Sequence, residues 1–310
     1  MRRSPRPGDG IALKPDEFRL LRDLFASRTG LHFGPESRFT LERRLRERLS
    51  VLELASFAEY HHYLRFGASA ADEWDAAVDL LTTNETYFFR EERQLRAVEN
   101  EVFPMLRDAT LLRRRLVIWS AGCSTGEEAY TIAILLHQSG LFPRRATAAS
   151  PDRWDVRVHG IDISHRCVSA ARRGAYGERS FRATPSEARA AFFQQREGGW
   201  HVTDTIRQLC TFSQMNLLDA DRSRVLRNAD AIFCRNVLIY LDARARKAAI
   251  ELLYEHLSPG GILLLGHSES LLNVSTAFEL LHLRDDLVYR KPISAPALDV
   301  RPRTDVDPSP

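Results

Sequence analysis

The stretch Trp119-Ser120-Ala121-Gly122-Cys123-Ser124-Thr125-Gly126-Glu127-Glu128 has the makings of a ligand loop. An apolar run, Leu116 to Trp119, leads into it, and a helical pattern from Glu127 to Gln138 leads out. Gly122 and Gly126 let the backbone turn tightly and approach a bound molecule, and the start of the following helix offers N–H groups to it. The spacing is neither G-x-G-x-x-G nor a P-loop, and no lysine stands ready for phosphates. Glu127 and Glu128 would repel a pyrophosphate and suit a ligand with a cationic end, although acidic residues also simply favour a first helical turn. A second candidate, Asp162, closes the apolar run that begins at Val156. An acidic residue after the second strand is the usual partner of a ribose diol. Helix capping is the alternative, and Ser164 could supply that equally well. The two features together favour a nucleoside ligand.

Elements that could position these residues are legible on either side. Residues 16–81 read as a helical domain, with apolar stripes at Phe18, Leu21 and Phe25, at Leu41, Leu45 and Leu49, at Phe57, Tyr60 and Leu64, and at Trp74, Val78 and Leu81. Residues 82–115 read as a helical linker, and 116–291 alternate strands with helices. Continuous apolar strands separated by helices mean a parallel sheet covered on both faces. About 176–208 interrupts the rhythm and reads as an insert with a small antiparallel sheet, while Phe278 to Arg290 reads as a closing hairpin around Arg284-Asp285-Asp286. The Pro/Gly-rich residues 1–15 read as a solvated, disordered leader and the Pro/Asp/Ser-rich residues 292–310 as a disordered tail.

Composition narrows the function classes. A charged fraction of 27% and a hydrophobic fraction of 44% are those of a soluble globular protein. No apolar run approaches the ~20 residues that span a bilayer. A net charge of +3 is too small to imply nucleic acid. Cys123, Cys167, Cys210 and Cys234 form no C-x-x-C pair and no zinc pattern, which suits buried thiols in a reducing cytoplasm.

Four stretches, in order, carry a resemblance: Asn84-Glu85-Thr86-Tyr87-Phe88-Phe89-Arg90-Glu91, then Ser120 to Glu128, then Cys234-Arg235-Asn236-Val237-Leu238-Ile239-Tyr240, then Gly266-His267-Ser268-Glu269-Ser270. Together they resemble the CheR-type chemotaxis protein-glutamate methyltransferases over about residues 16–290. The resemblance implies an α/β fold: a Rossmann-like domain binding S-adenosyl-L-methionine (SAM) and releasing S-adenosyl-L-homocysteine, with a small antiparallel β-subdomain insert, preceded by an all-α N-terminal domain. It implies that Asn84, Thr86 and Arg90 reach SAM from the linker and that Glu127 or Glu128 meets its methionine end beside Gly122. By the same resemblance Asp162 binds the ribose, Asn216-Leu217 lie beside the adenine, Arg235-Asn236 close the pocket, and Tyr240, with Arg90, faces the substrate carboxylate. Ala129 stands where the family usually has proline. Tyr87, Phe88 and Phe89 read as core and pocket wall, and His267 as structural rather than a general base.

The implied substrate is a glutamate on the cytoplasmic helical bundle of chemoreceptors. Such a carboxylate is anionic at neutral pH and needs neither a general base nor a metal. The stretch Arg38–Ser50 sets Arg38, Arg43, Arg44, Arg46 and Arg48 against Glu42 and Glu47, five cations less two anions, or +3. With its leucines packed inward, those arginines should project largely to solvent and suit an acidic bundle; a plain solvated face is the alternative. The expected location is the cytoplasm, with recruitment to membrane receptor arrays but no membrane insertion and no nucleic acid. Two rival functions stand beside this one: SAM-dependent methylation of another protein or small molecule, and a non-catalytic SAM-binding signalling scaffold.

Overall fold

The computed structural model describes residues 10–144, 153–224, 226 and 228–293. Residues 1–9 and 294–310, most of the expected leader and tail, lie outside the described residues. Four helices form the first body: α1 (Pro15–Thr29), α2 (Arg38–Val51), α3 (Phe57–Phe66) and α4 (Ala70–Leu81). Pro15 and two acidic residues open α1, and Gly30 closes it at φ +74°. The stripes read from the sequence meet in one core around Phe25, Leu41, Leu45, Tyr60 and Trp74. The body also begins earlier than expected. Leu13 is wholly buried, its N–H donates to Glu42, and its carbonyl accepts from Arg38.

The linker is only partly helical. Helix α5 (Glu92–Ala97) continues through a π turn at Val98–Val102 into α6 (Phe103–Thr110), but residues 82–91 are not helical. Phe89 and Glu91 there adopt φ +59° and +62°, which no helix accommodates. The strands are β1 (Arg115–Ala121), β2 (Asp155–Asp162), β3 (Ala175–Tyr176), β4 (Phe193–Arg196), β5 (Gly199–Val202), β6 (Cys210–Gln214), β7 (Ala229–Cys234), β8 (Leu257–Leu265), β9 (Glu279–His282) and β10 (Leu287–Arg290). Between them run α7 (Glu127–Ser139), α8 (His165–Arg173), α9 (Ser186–Phe192), α10 (Asp204–Arg207), α11 (Ala220–Ser223) and α12 (Ala243–His256). Seven strands make one sheet in the order β6-β2-β1-β7-β8-β10-β9, parallel from β6 to β8 and reversed at β10. Leu116 and Ile118 of β1 join the core that includes α7, whereas Val117, Trp119 and Ala121 join the core that includes α12. The alternation shows both faces covered. Strand β8 starts at Leu257, before Pro259-Gly260-Gly261, with an irregular register against β7 that absorbs those breakers.

The insert's sheet, β3-β5-β4, is antiparallel. Phe88 pins it to the linker: its ring packs 4.8 Å from Tyr176, 5.2 Å from Phe181 and 4.7 Å from Phe193. No helix of the described residues is long and apolar enough to cross a membrane.

The arginines of α2 do not project to solvent as expected. Arg48 donates to both oxygens of Glu73, which is 3% exposed and also accepts from the Tyr60 hydroxyl at 2.6 Å. Burial, then Glu73, pushes the Tyr60 hydroxyl far above its ordinary value. Arg44 donates to the Leu81 carbonyl at 2.7 Å, Arg38 to that of Leu13, and Arg46 pairs with Glu42. Arg43 alone of the five is exposed, and no ion pair is formed by it among the described residues. The leucines do pack inward, but long guanidinium stems beside them reach partners just before α1, on α2 itself and on α4. Arg48→Glu therefore sets two anions together in the core. It should lower stability by about 3–5 kcal/mol in urea denaturation, and a loss under about 1 kcal/mol would show that the pair contributes little.

Candidate active site

The sheet order reverses between β1 and β7, and crevices outside the carboxyl ends of strands at such a point are where open α/β sheets bind ligands. The loops after β1, β2 and β7 meet there. Gly122 sits at φ +74°, and a Cβ on it would lie 2.3 Å from Val237 Cγ2. Glycine is thus what lets the loop after β1 touch the loop after β7. The loop's first amides turn away from any ligand. Gly122 and Cys123 both donate to the Ile161 carbonyl, at 2.7 and 2.9 Å, and Ser124 donates to Asp162 at 2.7 Å. A phosphate would find none of the three free.

A cavity of about 340 Å³ opens at this point. Asn84, Thr86 and Arg90 line it from the linker, Gly122 and Glu128 from the β1–α7 junction, and Asp162 from the end of β2. Asn216 and Leu217 follow β6, and Arg235, Asn236 and Tyr240 follow β7. The helical body supplies a wall that includes Leu31, Phe33, Thr40 and Arg44. Glu127 is the one expected cofactor residue that does not line the cavity. It is buried against Thr125 at 2.6 Å and Ser180 of the insert at 3.0 Å. Successive helix positions point about 100° apart, so the two glutamates face different neighbours.

The lining residues are held from behind. Arg235, with 2% of its side chain exposed, donates to Glu128 at 3.1 Å, to Glu91 at 3.0 Å and to the Arg90 carbonyl at 2.9 Å. Its Nε is buried without a partner. Burial raises the Glu128 carboxyl above its ordinary value, and Arg235 opposes that shift. Asp162 accepts from Ser124 and from Ser164 N–H at 2.8 Å; burial raises its pKa while these amides oppose the rise. Asn216 uses both ends of its amide, donating to the Arg28 carbonyl and accepting from Leu218 N–H. Arg90 donates to the Glu85 carbonyl at 3.0 Å. Tyr240 is 37% exposed, and its carbonyl accepts from His32 N–H. The donor set fits a nucleoside bearing an amino acid. Glu128 would answer an ammonium, Asp162 would keep a lone pair per oxygen for a diol, and Leu217 would offer an apolar surface.

A sheet of this order with a nucleoside-sized cavity at its switch point defines a doubly wound, nucleoside-binding α/β domain. Comparison with known proteins narrows the class. The CheR methyltransferase SAM-binding domain matches residues 84–286, and the CheR methyltransferase all-alpha domain matches residues 16–82. Chemotaxis protein methyltransferase 2 of Vibrio cholerae is 37% identical over 91% of this chain and 95% of its own length. Chemotaxis protein methyltransferase 2 of Pseudomonas aeruginosa is 35% identical over 84% and 88%, and the Salmonella typhimurium chemotaxis protein methyltransferase is 33% identical over 90% and 91%. The chain belongs to the CheR methyltransferase family, as a SAM-dependent methyltransferase.

One residue at the site escaped reading from its type. In Gly266-His267-Ser268-Glu269-Ser270 the histidine drew attention, yet His267 is exposed and Glu269 is the organising group. Glu269 accepts from Asn236 N–H and Gly266 N–H at 2.8 Å, from Val237 N–H at 2.9 Å and from Ile239 N–H at 3.3 Å. It holds Asn236 at φ +58°, a conformation that needs such support. Glu269→Gln turns an amide donor toward these donors. It should cost about 1.5–3 kcal/mol of stability and lower turnover at least about tenfold; a variant with wild-type melting and turnover would remove Glu269 from this role.

Proposed function

We propose that this protein transfers the methyl group of SAM to glutamate side-chain carboxylates of bacterial chemoreceptors, forming methyl esters. Its relatives, chemotaxis protein methyltransferases, support a chemotactic substrate. The observation that carries the carboxylate is the makeup of the cavity: Arg44, Arg90 and the exposed Tyr240 line it together with the cofactor-type carboxylates Glu128 and Asp162. Bound SAM supplies a sulfonium methyl whose sulfur leaves as a neutral thioether. A carboxylate oxygen forms the new O–CH3 bond as the S–CH3 bond breaks, so no proton has to move.

The chain's own task is placement. Arg235, Glu91 and Glu128 fix the floor of the pocket, and Glu128 takes the methionine end. Asp162 takes the ribose, Leu217 and Asn216 flank the adenine, and Asn84, Thr86 and Arg90 close over the cofactor from the linker. Tyr240 has no hydroxyl partner among the described residues and orients the incoming carboxylate by one hydrogen bond. Moderate contacts suit this chemistry, because a tight ion pair would quench the nucleophile. Docking on α2 rests on Arg43 rather than on five free arginines, beside the exposed Phe39.

Methyl-labelled SAM incubated with receptor cytoplasmic fragments should give a base-labile methyl ester. Label that survives base would point to another acceptor chemistry, and SAM binding without transfer to a scaffold. Tyr240→Phe should keep SAM affinity and lower kcat by about tenfold or more; a parallel loss of SAM affinity would move Tyr240 into the cofactor site. Arg43→Glu should raise the KM for an acidic receptor fragment at low salt, an effect that fades as salt screens it, with SAM affinity unchanged. An unchanged KM at low salt would end the docking role.

A further inference from the structure

We propose that Asp79, near the C-terminal end of α4, is a positioning residue for the cofactor, acting through Ser164 on Asp162 and so making the helical domain part of the nucleoside site. The inference rests on the reading that Asp162 holds the ribose. Asp79 Oδ1 accepts from the Ser164 hydroxyl at 2.5 Å, and both of its carboxylate oxygens lie 3.3 Å from Arg166 N. The Arg166 guanidinium returns to the Asp79 carbonyl at 2.9 Å, closing the contact from both sides.

Ser164 is wholly buried, and its hydroxyl and its amide both lie on the line from α4 to the cavity. Its hydroxyl proton goes to Asp79, its Oγ caps α8 by accepting from Cys167 N–H at 3.1 Å, and its N–H donates to Asp162 Oδ1 at 2.8 Å. A helix cap needs only the acceptor half of a hydroxyl. The donor half is therefore free to carry a second link, and it is given to a residue of the other domain. Asp162 receives Ser124 N–H on its other oxygen, so its carboxylate plane is fixed by two amides, one of them anchored by Asp79.

The link is also electrostatic. The charged and titratable groups that face Asp162 are Asp79 from α4, the thiols of Cys123 and Cys167, and Glu128 on the same cavity. Both thiols are pushed up by burial and stay neutral. Burial raises the pKa of Asp162 and the Asp79 charge raises it further. Removing the Asp79 charge lets Asp162 ionise at lower pH, so loss of SAM binding on acidification should shift toward lower pH. Mere gluing of two domains predicts no such shift.

SAM affinity would be measured by calorimetry from neutral pH into the acid range, with steady-state kinetics alongside. Asp79→Asn should weaken SAM binding roughly three- to tenfold at neutral pH, raise KM for SAM, leave kcat at saturating SAM within about twofold, and move the acid limb to lower pH. Ser164→Ala should weaken SAM binding as well, and adding it to Asp79→Asn should bring little further loss, because the two act in series. Asp75→Ala removes a bond to Gln214 from the same helix without touching Ser164, and it should bind SAM as wild type. Wild-type affinity in Asp79→Asn, while Asp162→Ala is weakened, overturns the proposal and spares the ribose reading. Full additivity with Ser164→Ala, or weakened binding with no shift of the acid limb, also overturns it. Wild-type affinity in Asp162→Ala removes the ribose reading instead.

Discussion

The guanidinium of Arg235 is buried where β7 ends, and two other chain segments converge on it. Glu128 comes from α7, Glu91 and the Arg90 carbonyl from the linker. A buried charge survives only when it is paired and hydrogen-bonded, so each segment is drawn to the same point. Without that cation Glu91 and Glu128 would face one another, since the Glu91 charge already raises the Glu128 carboxyl. The linker could not then lie over the cavity, and residues 84–90 would lose their place beside the loop after β1. The pocket floor follows from one arginine and its partners.

A second dependence runs between domains. The cavity wall includes Leu31, Phe33, Thr40 and Arg44 from the helical body. The backbone of Leu31 and His32 joins the β7 loop, through the Leu31–Leu241 bridge and the His32 N–H to Tyr240 carbonyl bond. A Cβ at Gly30 would lie 2.6 Å from that of Ala245 at the start of α12. The helical body is thus seated on the loop that carries Tyr240. Backbone strain gathers in the same region: Phe89, Glu91, Ser124 and Asn236, all left-handed without being glycine, border the cavity or its supports. Strained residues persist where surroundings over-determine them: Thr131 holds Phe89, Arg235 holds Glu91, Asp162 holds Ser124 and Glu269 holds Asn236.

The legible part of this protein was whatever repeats or alternates. Leucines at 41, 45 and 49 gave a helix face, and apolar runs at 116–119 and 231–234 gave buried strands, because periodicity is a local property. The β1–α7 turn and Asp162 announced a nucleoside site by residue type. Long polar side chains were harder to read. The charge of α2 suggested a free cationic face, yet Arg48, Arg44 and Arg38 reach partners 25 to 37 positions away in the chain. Glu127 and Glu128 are equivalent in composition and differ only in which neighbour each helix position faces. Glu269 was hidden for the same reason: its four partners are backbone amides, which carry no residue signature.

The inward turn of the amides at 122–124 has a consequence beyond the reaction. Most cellular molecules that carry adenine and ribose also carry phosphates, and an open sheet of this kind commonly greets them with free loop amides. Here two of those amides are committed to the backbone carbonyl of Ile161. A backbone acceptor cannot be deleted by substituting a side chain. The direction of these amides is therefore set by the main chain, where drift in the sequence around the pocket has least power to change it.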